Sequence, residues 1–273
     1  MLSEVTLGQY FPGNSVIHKT DPRFKFILTV FYLVIIFMAK SDVAFLFVLG
    51  FTAALVILSG ISPKFILKGL KPLVFIILFT AFINIFWISG ETLLVDFWII
   101  KIYAEGIASA IFLVLRLICL ISGTSILISY TTSPVELTDA MERLFAPLKK
   151  LKVPVHDLSM MMTIALRFIP TLIEETDKIM SAQKARGADF ESGSIVRRVK
   201  AMIPILIPLF VSAFRRADDL AQAMECRCYT GGEGRTRMKE MKAKPLDFAV
   251  MAVVIAAFAA VILLNRFTIA FSI

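Results

Sequence analysis

Three stretches of the chain run almost without charge for the length that a bilayer crossing demands. Val43–Gly60 and Pro72–Gly90 contain no charged residue, and Gly106–Tyr130 contains only Arg116. A transmembrane helix needs about 20 predominantly apolar residues. Two more segments complete a set of five. Phe24–Ala39 is short, and Lys25 must snorkel from its end. Pro245–Leu264 has Asp247 near its start. The composition points the same way: 58% of the residues are hydrophobic and 18% are charged, where a soluble domain carries roughly 25% charged residues. A fully soluble globular protein is excluded, and so is a disordered chain, which would be poor in apolar residues. The expected fold is an all-α polytopic membrane protein with five transmembrane helices and three long cytoplasmic helices. Residues 1–20 are polar and lack an apolar core, so no cleavable signal peptide is expected.

The charges are concentrated in one block. Residues 131–245 hold 19 Lys/Arg and 14 Asp/Glu. This divides the chain into an N-terminal membrane part (1–132), a charged cytoplasmic domain (133–244) and a last membrane helix (245–273). Orientation follows from Lys and Arg in the short loops. Lys19, Arg23 and Lys25 precede the first span, and Lys64, Lys68 and Lys71 follow the second. Those ends are expected inside, which puts the N-terminus and the charged block in the cytoplasm and the C-terminus outside. Trp87, Trp98 and Tyr103 cluster around the outer loop after span three, as an interfacial aromatic belt would. Ala201–Phe214 is also uncharged, but it is 14 residues long, contains Pro204 and Pro208, and is flanked by Arg/Lys on both sides. It reads as a helix in or against the membrane face rather than a span.

Within the charged block, Ser133-Pro134-Val135-Glu136 is a capping box with Pro at the first helical position. Pro147 tightens or ends the helix it starts. A second helix is expected from Asp157 as N-cap, with an apolar stripe from Leu158 to Met180, a bend at Pro170 and a stop at Gly187. A third is expected from about Ser194 to Cys228. The last two share a short pattern: Asp177 precedes Arg186 by nine residues, as Asp218 precedes Arg227. The tips read Ala185-Arg186-Gly187 and Cys226-Arg227-Cys228.

Two readings of those arginines are open. A cation at a helix C-terminus complements the macrodipole, worth roughly 0.3–1 kcal/mol. Alternatively, small neighbours let the guanidinium project into a partner's groove and make bidentate bonds to a carboxylate. Arg116, about ten residues into span four, has two readings as well: a functional intramembrane charge, or a structural one paired with Asn84 or a backbone carbonyl. The block has no P-loop, no H-E-x-x-H and no EF-hand loop. Cys226 and Cys228 have no other plausible zinc ligands nearby. A self-contained transporter using Arg116 and a membrane enzyme are the competing classes; the first lacks a second deep charge, the second a catalytic constellation.

The chain resembles the transmembrane T component of energy-coupling factor transporters, the vitamin-importing branch of the ABC systems. The resemblance covers nearly the whole chain. It rests on Tyr10-Phe11-Pro12-Gly13-Asn14-Ser15, His18-Lys19-Thr20-Asp21-Pro22-Arg23-Phe24-Lys25, Thr131-Thr132-Ser133-Pro134, Leu166-Arg167-Phe168-Ile169-Pro170-Thr171 and Ala182-Gln183-Lys184-Ala185-Arg186-Gly187. In that family two cytoplasmic coupling helices end in x-Arg-x motifs that insert into grooves on a pair of ABC ATPases. The resemblance maps those motifs to Arg186, flanked by Ala185 and Gly187, and Arg227, flanked by Cys226 and Cys228. It departs at the second motif, where the family often has Ala and Gly flanks.

The resemblance implies that the chain is not itself an enzyme and binds no cofactor. ATP and Mg would be held by the two partner ATPases. The vitamin or other micronutrient would be held by a separate membrane-embedded S component; the stretch Gly231-Gly232-Glu233-Gly234-Arg235-Thr236 resembles that of family members shared among several S components. No nucleic-acid partner is implied. The expected location is the bacterial-type cytoplasmic membrane, multi-pass, with Pro170, Pro204 and Pro208 as bends that pass motion from the ATPases to the S component.

Overall fold

The computed structural model describes residues 10–88, 92–97, 100–190, 194–232 and 241–267. The chain is helical, as expected, apart from one hairpin. Its elements in order are α1 (Val16–Lys19), α2 (Pro22–Met38), α3 (Asp42–Ser59), α4 (Pro63–Leu70), α5 (Val74–Trp87), β1 (Leu93–Phe97), β2 (Ile100–Tyr103), α6 (Ala104–Thr124), α7 (Pro134–Leu144), α8 (Val155–Ala185), α9 (Ile195–Cys226) and α10 (Pro245–Leu264). The chain clusters into two compact units. One holds Gly8–Ala140 with Met241–Ile273, the other Met141–Glu240.

In the first unit, four segments among the described residues are long and apolar enough to cross a membrane. They are Asp42–Ser59, Pro63–Trp87, Ala104–Tyr130 and Pro245–Leu264. The first expected span, α2, has 17 residues and is one residue shorter than the shortest of them. At 1.5 Å per residue it reaches about 25 Å, against a hydrocarbon core of about 30 Å.

The third span also starts earlier than expected. Pro63, at the first turn of α4, begins a helix that runs through a 3-10 turn at Lys71–Leu73 into α5. Lys64, Lys68 and Lys71 therefore ride on helical turns rather than a loop, while Ile66 and Leu70 of α4 are buried. The expected outer loop instead contains β1 and β2, paired antiparallel with Val95 opposite Ile102 and Asp96 opposite Lys101. Trp98 lies outside the described residues, so the aromatic belt is described only at Trp87 and Tyr103.

The caps explain the boundaries. Asp21 accepts from the Arg23 amide at the start of α2, with Pro22 at its first position. Ser41 accepts from the Ala44 amide at the start of α3, which ends on Gly60 in the left-handed region, φ 68°. α6 passes without a break into a π-helical turn at Ser125–Tyr130. The core is built where α2, α3, α6 and α10 pack together, with Leu28, Tyr32, Ile35, Val48, Ile126 and Val261 fully buried. The Tyr32 hydroxyl donates to the Cys119 carbonyl at 2.8 Å and lies 2.9 Å from the Thr52 hydroxyl. The Tyr32 ring fills the space that any side chain at Gly123 would need. By contrast α5 packs on α6 and leaves Phe75, Phe79, Phe82 and Phe86 exposed, a face suited to lipid.

α7 opens in the first unit behind Ser133, whose hydroxyl accepts from the Glu136 amide at 3.3 Å, and its last residues, from Met141, belong to the second unit. A 3-10 turn at Ala146–Leu151, carrying Pro147, follows it. α8 begins at Val155, two residues before the expected Asp157, which sits in the first turn where its charge suits the helix dipole. Pro170 lies inside unbroken α8, and Pro204 and Pro208 lie inside unbroken α9. α9 ends at Cys226 rather than at Cys228.

Candidate functional site

Packing between α8 and α9 sets where their ends point. The Arg216 guanidinium meets the Glu175 carboxylate at 2.7 Å. Gln183 donates to the Pro204 carbonyl at 3.5 Å. Leu172 faces Leu206, Phe210 and Ala213 across an open apolar groove. Ascending residues of α8 thus meet descending residues of α9, so the two helices run in opposite directions. Their C-terminal arginines come out at opposite ends of the pair.

The two ends are built alike. In α8 the Ala188 amide donates to the Gln183 carbonyl at 3.0 Å and the Gly187 amide to the Lys184 carbonyl at 3.0 Å. In α9 the Tyr229 amide donates to the Met224 carbonyl at 3.0 Å and the Cys228 amide to the Glu225 carbonyl at 2.8 Å. Both are complete Schellman motifs, the 6→1 and 5→2 bonds present together. In each, the arginine is the C-cap residue, at φ −85° ψ 6° for Arg186 and φ −94° ψ 15° for Arg227. The following residue is left-handed, φ 87° at Gly187 and φ 55° at Cys228. The short repeat in the sequence is thus a repeat of backbone geometry. The turn lifts each arginine clear of its own helix, and Ala185, Arg186, Gly187, Cys226, Arg227 and Cys228 are all exposed. Among the described residues neither guanidinium has a hydrogen bond or ion pair.

A polar pair anchors the loop beyond Arg227. His156 Nδ1, in the first turn of α8, lies 3.0 Å from Glu142 Oε1 on α7. The His156 ring packs on Gly232 so closely that a side chain there would collide with it. The exposed apolar residues of this unit run along both long helices, among them Met161 and Met162 on α8 and Met202, Leu206, Phe210 and Phe214 on α9. The Glu175 carboxylate is held below the usual carboxylate range, first by a hydrogen bond from the Ser212 hydroxyl and then by Arg216.

Arg116 belongs to the membrane unit. Its Nη2 donates to the Ala39 carbonyl at 2.9 Å. Asn84, the other partner considered, donates instead to Thr80 of its own helix. No group of three or more His, Cys, Asp or Glu among the described residues could hold a metal ion, and Cys226 and Cys228 are free thiols.

One cluster was not singled out from the sequence. Lys25 and Asp247 are 2% and 0% exposed, and with the buried Asp21 and the partly exposed Arg23 they form a polar knot at the starts of α2 and α10. The signal was present as charges at the ends of two apolar segments, but snorkelling to water, the default expectation there, hid it.

Comparison with known proteins gives a consistent result. The family of cobalt transport proteins, CbiQ, matches residues 13–238. The chain is 53% identical over 265 residues to the energy-coupling factor transporter transmembrane protein EcfT of Ruminiclostridium cellulolyticum, covering 97% of this chain and 98% of that one. It is 52% identical to the protein of the same name from Clostridium kluyveri, over 91% of this chain and 92% of that one. Against the Bacillus subtilis protein of that name the identity is 46%, over 94% and 97% of the two chains.

Proposed function

The chain belongs to the CbiQ family, as a transmembrane component of energy-coupling factor transporters, and from that premise we propose that it couples two ABC-type ATPase subunits to an S component that carries a vitamin or other micronutrient. The observation that carries this reading is the pair of Schellman-capped arginines, exposed and without a partner among the described residues, at opposite ends of α8 and α9. Two knobs with the same backbone geometry suit two copies of one kind of groove, each offering a carboxylate. The helix-dipole reading explains a cation near each end, but not the repeat of the whole motif with both heads left in solvent.

ATP and Mg belong to the ATPases in this reading, and this chain performs no hydrolysis. The S component would rest on the exposed apolar faces of α8 and α9, where methionine side chains can re-pack against different partners. Movement of the ATPase grooves displaces the tips, and the long helices, carrying Pro170, Pro204 and Pro208, pass that displacement on. The N-terminus and the coupling unit are cytoplasmic. A reporter inserted near Gly232 should therefore read inside, and one fused after Ile273 outside; a cytoplasmic C-terminal reporter overturns this orientation.

The direct test is the double variant Arg186→Ala with Arg227→Ala. Truncating one partner of a desolvated charge pair costs about 2–5 kcal/mol, roughly 30- to several-thousand-fold in affinity. Pull-down should lose the ATPases, or ATP hydrolysis should continue without uptake, while the S component stays bound. Either single variant should be milder, because the other tip still holds. If the double variant retains its ATPases and transports normally, the arginines are only helix ends.

A further inference from the structure

The chain passes between its two compact units at Ala140–Met141 and returns at Glu240–Met241. Within the membrane unit, residues at the start of α2 bond the chain upstream of the first passage and at the second. Leading out, Lys25 Nζ donates to the Thr131 carbonyl at 2.7 Å and to the Thr132 hydroxyl at 3.3 Å, one residue before the capping Ser133 of α7. Leading back, Arg23 Nη2 donates to the Met241 carbonyl at 3.0 Å. Asp247 then accepts from the Lys244 amide at 2.6 Å and, from the other side, the Asp21 amide at 2.8 Å. Asp21 closes the knot by holding Arg23 through both of its oxygens, at 3.2 and 2.9 Å.

This is more polar machinery than two helix starts require. Asp21 already caps α2, and Pro22 has no amide N–H that needs an acceptor. Buried ammonium and carboxylate groups are retained against a large desolvation penalty only when well paired, and bonds in such surroundings are strong and directional. Lys25, Thr131, Thr132 and Asp247 are each less than 5% exposed. Phe24 and Phe248 stack edge to face beside them, ring centres 5.4 Å apart.

We propose that the Asp21–Arg23–Lys25–Asp247 knot is the fulcrum of the transporter subunit: it fixes both connections of the coupling unit to the membrane bundle, so that displacement of the arginine tips is transmitted rather than absorbed as slack. Lys25 and Arg23 are positioning residues, acting through the backbone at Thr131 and Met241. The inference rests on the coupling role proposed above for its transport arm, and on geometry alone for its local arm.

The test uses Lys25→Met, which removes the buried donor, and Arg23→Gln, which releases Met241 from a partly exposed site and spares the core. Both are made in the full complex, co-expressed with its partners. Hydrogen exchange reads the local arm: loss of a charged hydrogen bond should speed exchange about tenfold or more near Thr131–Glu136 in Lys25→Met and near Met241–Asp247 in Arg23→Gln. Uptake and ATP hydrolysis read the coupling arm. ATP turnover should stay within about twofold while uptake falls, so that more ATP is used per substrate imported; Lys25→Arg, which keeps a donor, should recover part of the loss. Unchanged exchange in both variants overturns the fulcrum, as does faster exchange with unchanged ATP use per substrate. Loss of assembly in Arg23→Gln also overturns it, leaving the knot a folding element. Should the unaltered complex contain no ATPases, the coupling role fails, while the exchange result still reports on the knot.

Discussion

Arg116 on α6 donates to the carbonyl of Ala39, the residue that caps the C-terminal end of α2, at 2.9 Å. The last carbonyls of a helix have no partner within it, and the helix's negative pole favours a cation there. The guanidinium carbon also stands 5.8 Å from the centre of the Phe45 ring on α3, within reach of a cation–π contact. On the far flank Asn265, at the end of α10, donates to the Met38 carbonyl at 2.8 Å and accepts from the Lys40 amide at 3.0 Å. The short turn between α2 and α3 is thus clasped from α6 and from α10. A helix of only 17 residues ends early, and Arg116 reaches its end from the middle of α6.

Replacing Arg116 by Gln should therefore lower folded yield and thermal midpoint in the membrane more than transport per assembled complex. Loss of a hydrogen bond to a charged group is worth about 1.5–3 kcal/mol. Folded yield is read by size-exclusion of the solubilised complex and transport by uptake normalised to it. Normal assembly with abolished uptake would show that the charge acts in transport itself.

Glu175 offers a pH-dependent readout of the α8–α9 pairing. Hydrogen bonds from Ser212 and Arg216 hold its carboxyl below the ordinary value of 4.5. A depressed folded value means that the contribution is complete above 4.5 and is lost as pH falls through the lower, folded value. The pairing should then be level through neutral pH and loosen only in acid. Glu175→Gln should flatten that acid limb and change stability at pH 7 by at most about 1 kcal/mol, as partly exposed pairs do. Thermal midpoints of the two proteins from pH 7 down to pH 3 decide it; an acid limb that survives in Glu175→Gln assigns the loosening to another group.

The long apolar spans and the amphipathic helices α8 and α9 were legible because both depend on a pattern within one segment. Pro245–Leu264 was read at its observed bounds, and Gly187 as the stop of α8. What failed depended on neighbours. Pro63 looked like a loop residue among lysines, yet Ile66 and Leu70 find a buried face and make the turn helical. The hairpin after α5 has no strong turn signal in its sequence, and among the described residues its strands pair only with each other. The short repeat at Arg186 and Arg227 was visible as spacing, but its geometry was not, since a cysteine at 228 gives no hint of a left-handed backbone. The knot at Lys25 was hidden for a related reason: its shortest bond is to the Thr131 carbonyl, 106 residues away, and a main-chain carbonyl leaves no mark in a sequence.

The two tips differ at one backbone position, and that difference makes a paired prediction. Gly187 adopts φ 87° without a side-chain penalty, and a Cβ there would meet nothing within 4 Å. Cys228 adopts φ 55° with a Cβ in place, a conformation that costs an L-residue roughly 1–2 kcal/mol. Gly187→Ala should therefore weaken the α8 tip, and Cys228→Gly should strengthen the α9 tip, each through the backbone alone. The amides that report this are those of Ala188 and Tyr229, which close the 6→1 bonds. A change of about 1 kcal/mol alters their exchange roughly fivefold, faster at Ala188 in the first variant and slower at Tyr229 in the second. Faster exchange at Tyr229 in Cys228→Gly would mean that the thiol itself holds the turn, and the equivalence of the two tips would then end at their hydrogen bonds.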